Sequence, residues 1–522
     1  KSFSPITLTL DKKLFLNFDT SSFTYQSDDI FMDRLSSCIF KYNIEQIPPL
    51  HFEYPSKENN YLDGSFTITQ SMMSHPLFRP LLLALSYEDH LNEIQIVDNV
   101  PLKDLIPLCY TLFSINTSVE RVTFQNPDFE NADKALKSTF SIQNMFRPSQ
   151  FNFIMCDLTM RNISFFEVLS QTVSELVSLQ FMHCNFDKYS MRKLFQVLNF
   201  NNPSCFHSLE SLSFAGISDT TELTNGLIQL TRFDWTNIPQ LFNSLSICYC
   251  NVEASYLIRA ILINETGVNF LSLKHCMFLI PITSNLKISY STDIFPDPDD
   301  DDIDIDQSNE IDNRILKTID LNTSVQTHQL KELNLEGCRF TAESILSLFI
   351  FLTQELVSVK KLDLSYMKID TDEFNFFLDR ISEFKLHNLK TLIFNGNTMN
   401  SDQLLKFNSF LVKQEKLTKI SLNGSISITT GKNGLTKLLD IIIYLNIDQI
   451  SLRGVGLPEF DFGDSLPSFF EMLSQKGTLL SLDISQQSLS QQGIANLIIL
   501  LNTTPVQELY FDGIKCPGFD CL

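Results

Sequence analysis

The chain has 522 residues, of which 43% are hydrophobic and 19% are charged, so it carries enough apolar side chains to build one continuous core. Its formal net charge is −22, with 61 acidic against 39 basic residues and no basic block, which argues against nucleic acid and against direct binding to a membrane. No apolar run approaches the roughly 20 residues of a membrane span, which predicts a soluble protein.

Residues 1–62 differ in pattern from the rest of the chain. The stretch "ITLTLDKKLFLNF" alternates apolar and polar residues around a turn at Asp11–Lys13, and "DDIFMDRLSSCIFKYNI" has a helical period. Two strands and a helix are too few elements for a separate domain. Because the chain also begins at Lys1 rather than Met, we expect these residues to end a preceding domain and to lead through a linker into a cap.

From residue 63 onward one short pattern of apolar residues recurs, seen most clearly in "LKELNLEGCRF" at residues 330–340. Most successive copies begin 26 to 33 residues apart. The copies begin near Asp63, Leu91, Val119, Pro148, Leu176, Leu209, Phe242, Val268, Leu330, Val359, Leu389, Leu417, Ile447, Leu479 and Val506. This period with the pattern L-x-x-L-x-L-x-x-(N/C)-x-L is typical of leucine-rich repeats, in which L-x-L is a short strand and neighbouring copies share one core.

The segment that returns from each strand has a helical period. In "TAESILSLFIFLTQELVS", Thr341 and Glu343 indicate a helix start. The predicted apolar face of this helix comprises Ile345, Leu346, Leu348, Phe349, Leu352 and Leu356. A full helix in each repeat is the ribonuclease-inhibitor type, so the predicted fold class is α/β. We expect a curved solenoid, or horseshoe, of about 15 repeats over residues 63–522, with parallel strands on the concave face and helices on the convex face.

One interval, between Phe278 and Leu330, is stretched by about one further repeat and contains "DIFPDPDDDDIDIDQSNE". A block of like charges stays solvated, so residues 279–329 are predicted to be an acidic loop that leaves the solenoid. An EF-hand frame beginning at Asp297 fails, because Asp302 stands where that loop needs Gly and Ser308 where it needs Glu. We predict no calcium site in this loop.

The cysteines indicate packing rather than a disulfide framework. There are eleven, an odd number, and five recur at one place in the repeat: Cys156, Cys184, Cys250, Cys276 and Cys338. The pairs His183–Cys184 and His275–Cys276 lie three repeats apart, about 14 Å at the usual strand spacing, which is too far to share a zinc ion. We therefore predict no metal, no cofactor and a reducing, cytoplasmic compartment. Six Asn-x-Ser/Thr triplets keep secretion open as the alternative.

The residues around the strands predict a binding surface. The residue between the two strand apolars is mostly small and polar: Gln95, Thr123, Asn152, Gln180, Ser213, Ser246, Ser272, Asn334, Asp363, Ser421, Ser451 and Asp483. Just after the strand, middle copies instead supply apolar, aromatic and His residues, which are typical of interfaces when they face solvent. We predict that a protein partner binds at Ile154, Met155, Met182, His183, Tyr249, His275 and Tyr366. The alternative is that these side chains pack against neighbouring copies or under the acidic loop.

The sequence contains no phosphate-binding Gly-rich loop and no nucleophile elbow, and it has only 16 Gly. We therefore predict a protein that is not an enzyme and binds partners on an extended concave face.

An irregular first copy in residues 61–126, leading into "LKDLIPL", resembles the repeat region of the CARMIL family of actin-capping-protein regulators. The segment "ITLTLDKKLFLNF" with "DDIFMDRLSSCIFKY" is similar to the last strands and closing helix of the pleckstrin-homology-like domain that precedes the repeats in that family. The resemblance implies that residues 1–62 contain a remnant of such a domain. It covers residues 1 to about 515, and the repeat motif itself is shared by all leucine-rich proteins of this class.

The resemblance also implies a function: a cytoplasmic scaffold at the cell cortex that regulates actin filament assembly and self-associates. The family's basic capping-protein-binding motif and basic lipid-binding surface have no counterpart in this acidic chain. The alternatives are a GTPase-activating protein of the RanGAP type, a ligand-sensing repeat domain and an inhibitor that encloses its target. A RanGAP-like protein usually carries its acidic segment at the C-terminus, whereas here it interrupts the repeats.

Overall fold

The computed structural model describes residues 30–42, 64–140, 146–173, 175–198, 208–218, 220–231, 243–263, 268–282, 330–353, 357–427, 431–445 and 447–516. Within these ranges, fifteen parallel strands form one sheet in which each strand pairs with the next along the chain. The strands are β1 Ser65–Ile68, β2 Glu93–Val97, β3 Arg121–Gln125, β4 Gln150–Ile154, β5 Ser178–Met182, β6 Ser211–Ala215, β7 Ser244–Cys248, β8 Phe270–Ser272, β9 Glu332–Asn334, β10 Lys361–Asp363, β11 Thr391–Ile393, β12 Lys419–Ser421, β13 Gln449–Ser451, β14 Ser481–Asp483 and β15 Glu508–Tyr510.

Each strand begins two residues after the start predicted for its copy, so the predicted frame is confirmed throughout the sheet. The register pairs equivalent apolar residues directly, as in Leu179 with Leu212 and Leu333 with Leu362. Strand β8 pairs with β9 across the predicted insertion, Phe270 opposite Glu332, so the extra residues do not interrupt the sheet. The fold is the predicted α/β leucine-rich repeat solenoid.

Helices connect most of the strands on the buried side of the sheet. They are α1 Ile30–Lys41, α2 Gln70–Met73, α3 Phe78–Leu85, α4 Leu102–Leu108, α5 Tyr110–Ile115, α6 Ala132–Thr139, α7 Ile163–Thr172, α8 Lys188–Leu198, α9 Thr220–Thr231, α10 Ala254–Ile263, α11 Ala342–Leu352, α12 Thr371–Ile381, α13 Ser401–Leu411, α14 Gly431–Tyr444, α15 Leu466–Ser474 and α16 Gln491–Thr503. Among the residues that the structure describes, no helix has both the length and the apolar composition to span a membrane.

Helix α11 begins where the sequence indicated. Thr341 is its N-cap, and its hydroxyl accepts from the backbone N–H of Ser344, whose side chain accepts in return from the Thr341 N–H. On the predicted apolar face, Ile345, Leu348, Phe349 and Leu352 are buried, whereas Leu346 is half-buried and Leu356 lies outside the described residues.

The core follows the L-x-L positions from repeat to repeat. In β3 to β6 the second apolar position holds Phe124, Phe153, Phe181 and Phe214, whose rings stack with centroids 5.2 to 5.3 Å apart. Such aromatic pairs contribute about 0.5 to 1.5 kcal/mol each beyond the burial of their area. This stack joins the cores of four successive repeats.

The five recurring cysteines lie in the turns that follow β4, β5, β7, β8 and β9. The Cys156 thiol donates to the carbonyl of Phe124 at 3.2 Å, and the Cys338 thiol donates to that of Leu273 at 2.8 Å. All nine cysteines in the described ranges are free thiols. Burial raises the pKa of Cys338 to about 12, so this buried sulfur stays protonated and available as a donor. These contacts agree with the predicted packing role.

Helix α1 lies at the start of the solenoid, where it packs against α3 with Leu35 and Ile39 buried in the core. The Arg34 guanidinium forms an ion pair with Glu88 at 3.6 Å. The helical period predicted for this segment is thus present, whereas the two strands predicted nearer the N-terminus lie outside the described residues. The assignment of residues 1–62 to a pleckstrin-homology-like remnant stays a prediction.

The start of the predicted insertion is anchored on the solenoid. The Glu253 carboxylate accepts from the backbone N–H of Leu279 at 3.1 Å, and the Ser347 hydroxyl accepts from that of Ile282 at 2.9 Å. Residues 283–329, with the acidic block and the EF-hand frame at Asp297, lie outside the described residues.

Candidate functional site

The structure separates the predicted partner-binding residues into two rows. Ile154 and Met182 are the last residues of β4 and β5, and their side chains lie half-buried on the open face of the sheet. The other five lie at equivalent positions in the register, one residue beyond β4, β5 and β7 and three residues beyond the shorter β8 and β10: Met155, His183, Tyr249, His275 and Tyr366. We call these five residues the ridge, because they follow the carboxyl ends of the strands along the edge of the sheet.

The ridge residues all have a left-handed backbone. Their φ angles are 51° at Met155, 52° at His183, 55° at Tyr249, 55° at His275 and 53° at Tyr366. Most other repeats place residues that tolerate this conformation at the same position, namely Asn126, Gly216, Gly337, Gly396, Gly424 and Gly513, whereas Gln486, with a φ of 59°, is a further side chain held there. A bulky side chain held there costs about 1 to 3 kcal/mol, so the ridge is a row of locally strained positions.

The ridge rings rest on the glycines of the next repeat. A Cβ atom on Gly216 would overlap the His183 ring, one on Gly337 would overlap the His275 ring, and one on Gly396 would overlap that of Tyr366. These glycines therefore supply both the left-handed turn and the space for a neighbouring ring.

Tyr249 stacks on His275 with ring centroids 4.3 Å apart and an angle of 14° between the planes. One side of these rings therefore packs against a neighbouring copy, which is the alternative that the sequence left open. The other side remains open, because Met155, Tyr249 and Tyr366 are 51%, 62% and 50% exposed. The four ridge rings are therefore supported by the next repeat, and Met155, Tyr249 and Tyr366 are accessible.

Beside the ridge, the open face of β4 to β7 has no charged side chain. Its outward residues, all half-buried, are Gln150, Asn152, Ile154, Ser178, Gln180, Met182, Ser211, Ser213, Ala215, Ser244, Ser246 and Cys248. We call this set the neutral patch. Charged residues lie on both sides of it, with Glu93 and Arg121 before β4 and the Lys274–Glu336 ion pair, at 2.6 Å, after β7.

Burial and ion pairing shift the pKa values of the groups after β7. Hydrogen bonding to Glu336 raises the pKa of Lys274. Burial lowers the pKa of His275, which keeps that imidazole neutral at pH 7. Burial raises the pKa of Asp363, whose carboxylate accepts from the Ser365 N–H at 2.9 Å.

Three of the small or polar residues between the strand apolars are more deeply buried than the other residues at this position. Thr123, Asp363 and Ser421 are buried, with 5%, 8% and 7% exposure. Each lies between two other strands, and hydrogen bonds such as that from Ser421 to Asn395, at 2.8 Å, draw these side chains against their neighbours. These three side chains therefore stabilise the open face and are little exposed on it.

The register of the strands also sets the distance between the two His-Cys pairs. His183 and His275 are separated by three strand steps, so the structure does not bring the two pairs together. In the described ranges, the group of side chains close enough to share a metal ion is Glu88, Asp89 and His90. Glu88 is already paired with Arg34, and the other two side chains are exposed.

Two features of the site were not predicted from the sequence: the left-handed backbone of the ridge residues, and the neutral patch. A signal for the first was present, since Asn126, Gly216 and Gly337 align with the ridge residues and are the residue types that favour positive φ. The neutral patch could be recognised only from the register of the strands, because a single residue such as Ala215 or Ser178 shows nothing unusual.

No protein-family model matches the chain, and no curated protein matches it. Among solved structures, it is similar to one described as the crystal structure of a TLR13–ssRNA13 complex, with 14% sequence identity and a TM-score of 0.39. That alignment covers 83% of this chain and 60% of the other, so this chain spans 60% of the length of the TLR13 chain.

Proposed function

We propose that this chain is a non-catalytic scaffold that binds a protein partner on the open, concave face of the sheet, with the ridge, Ile154 and Met182 in the contact. The observation that carries this proposal is the ridge itself. Bulky side chains occupy five exposed or half-exposed positions where glycine would relieve the backbone strain. Retained strain at accessible positions favours a functional role over a packing role.

The arrangement suits binding energetically. Tyr and Met at the centre of an interface contribute much of its free energy. The ring of Tyr249 is already stacked on His275, and that of Tyr366 already lies over Gly396, so little side-chain freedom would be lost when a partner binds. The ridge is therefore preorganised.

The resemblance to the CARMIL family supports a finer proposal. The chain would act in the cytoplasm, at the cell cortex, as a regulator of actin filament assembly, and its repeats would also self-associate. The nine cysteines of the described ranges are free and six of them are buried, which supports a reducing compartment. A GTPase-activating or ligand-sensing role remains the competing outcome of the experiment.

The test compares two double variants of the whole chain. Tyr249→Ala with Tyr366→Ala removes two ridge anchors, whereas Tyr189→Ala with Tyr444→Ala removes two exposed tyrosines from helices α8 and α14. Both are immobilised beside the wild type, and the bound cytoplasmic proteins are identified and then titrated in purified form. The ridge variant should weaken binding of the main partner by about 2 kcal/mol, a roughly 30-fold rise in Kd, and the helix variant should not.

The identity of the partner decides the finer proposal. Actin-assembly factors that bind the wild type and the helix variant, but not the ridge variant, would support the scaffold. A small GTPase that is retained, with its GTP hydrolysis accelerated by the chain, would replace that proposal with the GTPase-activating function. Equal binding by all three proteins would remove the ridge from the contact.

A further inference from the structure

The neutral patch restricts the chemistry of whatever binds it. All twelve of its outward side chains are uncharged, in a chain with 19% charged residues and a net charge of −22. A partner's charged side chain placed here would lose hydration without gaining an ion pair, whichever its sign. The surface is therefore complementary to an uncharged segment, bounded by Arg121 on one side and the Lys274–Glu336 pair on the other.

The patch is divided into a polar and an apolar strip. The first two outward positions of each strand hold only Gln, Asn and Ser. The last outward position holds Ile154, Met182, Ala215 and Cys248, and the ridge residues Met155 and Tyr249 continue this apolar strip at the strand ends. A fitting segment therefore has one apolar stripe with polar residues beside it.

Strand β6 leaves a notch in the apolar strip. It contributes Ala215 between Met182 and Cys248, and the following Gly216 is covered by the ring of His183. The short side chain of Ala215 is half-buried between its longer neighbours. An apolar side chain of the partner fits at this low point of the strip.

The backbone of the patch is not available to an added strand. Strands β4 to β7 are interior strands, paired in parallel on both sides, so an extended segment would find no free edge for its backbone groups. A helix satisfies its own backbone groups. Its pitch of about 5.4 Å also lies close to the strand spacing of about 4.8 Å, whereas two residues of an extended chain span about 6.6 Å.

From these observations, and resting on the proposed function, we infer that the partner presents an amphipathic helix of about four turns, or about 14 residues, to β4–β7. One turn lies beside each strand, an apolar side chain enters the notch at Ala215, and the stripe that contacts the sheet carries no charge.

The test uses two phage-displayed libraries as probes, one of 14-residue segments on a helical scaffold and one of Pro-containing segments of the same length that cannot form a helix. Both are selected on the intact chain, and the best binder is synthesised and titrated by fluorescence anisotropy. We expect enrichment from the helical library. Ala215→Arg should weaken the peptide about 30-fold, whereas Val97→Arg, at the same register position on β2, should change its Kd less than about 2-fold.

A charge scan of the peptide tests the neutrality of the contact. A single Lys or a single Glu in the middle of its apolar stripe should each weaken binding about 10-fold or more. If the acidic net charge of the chain governed binding instead, Lys would strengthen it. Met182→Ala serves as a second variant that adds no bulk, and thermal unfolding confirms that both variants are folded.

The inference would be overturned if the helical library yielded no enriched binders or if only the Pro-containing library did. It would also be overturned if the peptide bound Ala215→Arg and Met182→Ala as tightly as the wild type, or if a Lys in its apolar stripe strengthened binding. The proposed function fails separately. If the tyrosine double variant still loses its partner while Ala215→Arg does not, the scaffold stands and the helix does not. If neither variant loses it, the partner binds elsewhere on the chain.

Discussion

The repeats of β4 to β8 and those of β11 to β15 share one backbone but end their strands differently. The left-handed position holds Met155, His183, Tyr249 and His275 in the first group, with Gly216 between them. In the second group it is mostly Gly: Gly396, Gly424 and Gly513. At these three repeats the second group is relaxed where the first is strained, whereas Gln486, at the same position after β14, has a φ of 59° and shares the strain.

The open face differs in the same sense. In the second group polar side chains bind one another, since the Ser451 hydroxyl donates to Asn423 at 2.7 Å and contacts Asp483 at 3.0 Å. In the first group Ile154, Met182, Met155 and Tyr249 leave apolar surface accessible. The second group therefore ties polar side chains of its open face to one another, with Tyr510 at the end of β15 still 53% exposed, whereas the first group leaves apolar side chains open to a partner on interior strands.

The largest expected effect is a loss of stability when a glycine that makes room for a ridge ring is replaced. Gly337→Ala adds a Cβ that overlaps the His275 ring, which Tyr249 holds from the other side, so the ring has little room to move. With the cost of a left-handed Ala, we expect about 2 to 4 kcal/mol of lost stability in urea unfolding. Gly424→Ala, whose Cβ would meet only Val455 at 3.1 Å, should cost about half as much.

The double variant Gly337→Ala with His275→Ala separates the two causes of this loss. Removing the ring should recover the part due to overlap and leave the part due to the left-handed backbone. Equal losses at Gly337 and Gly424, with no recovery, would show that overlap with the His275 ring adds nothing to the cost at Gly337.

A smaller effect of opposite sign is expected at the first ridge residue. Met155→Gly removes a half-exposed side chain and relieves a backbone with φ of 51°, so the free energy of unfolding should rise by up to about 1 kcal/mol. Met160, which is 63% exposed without a positive φ, provides the matched control, and Met160→Gly should lower stability. Loss of stability in both variants would mean that the ridge backbone is not strained. Weaker partner binding by Met155→Gly would link the strain to function.

The strand frame was predictable because it depends on local apolar spacing. Leu333 and Leu362 stand at the same place in their copies, and the register pairs them directly. The start of α11 was predictable from Thr341 for the same reason, since an N-cap is a contact within one turn.

The character of the open face was only partly predictable. The sequence selected Tyr249 and Tyr366 as surface residues, but not their strained backbone or the rings' support on the next repeat, because both depend on aligned neighbours. Burial of Asp363 escaped prediction since it is produced by flanking strands that are distant in sequence. The absence of charge over β4–β7 likewise becomes visible only when four strands lie side by side.

The smallest expected effect concerns the boundary between the two groups, at His275. Burial lowers the pKa of this imidazole, and the positive charge of Lys368 lowers it further, with Glu336 acting in the opposite direction. The unfolded chain therefore binds more protons here than the folded chain at mildly acidic pH. The free energy of unfolding that depends on His275 is fully present above the unfolded pKa of about 6.5 and decreases as the pH falls below it.

Many carboxylates also titrate in this acidic chain, so the His275 contribution has to be measured as a difference. The free energy of unfolding should fall less between pH 7 and pH 5 in His275→Gln than in the wild type, and Lys368→Met should reduce the fall partway. Identical pH profiles for the wild type and His275→Gln would contradict the prediction. A steeper wild-type profile would show that protonation of the His275 imidazole, which lies against Tyr249 at the end of the neutral patch, destabilises the folded chain.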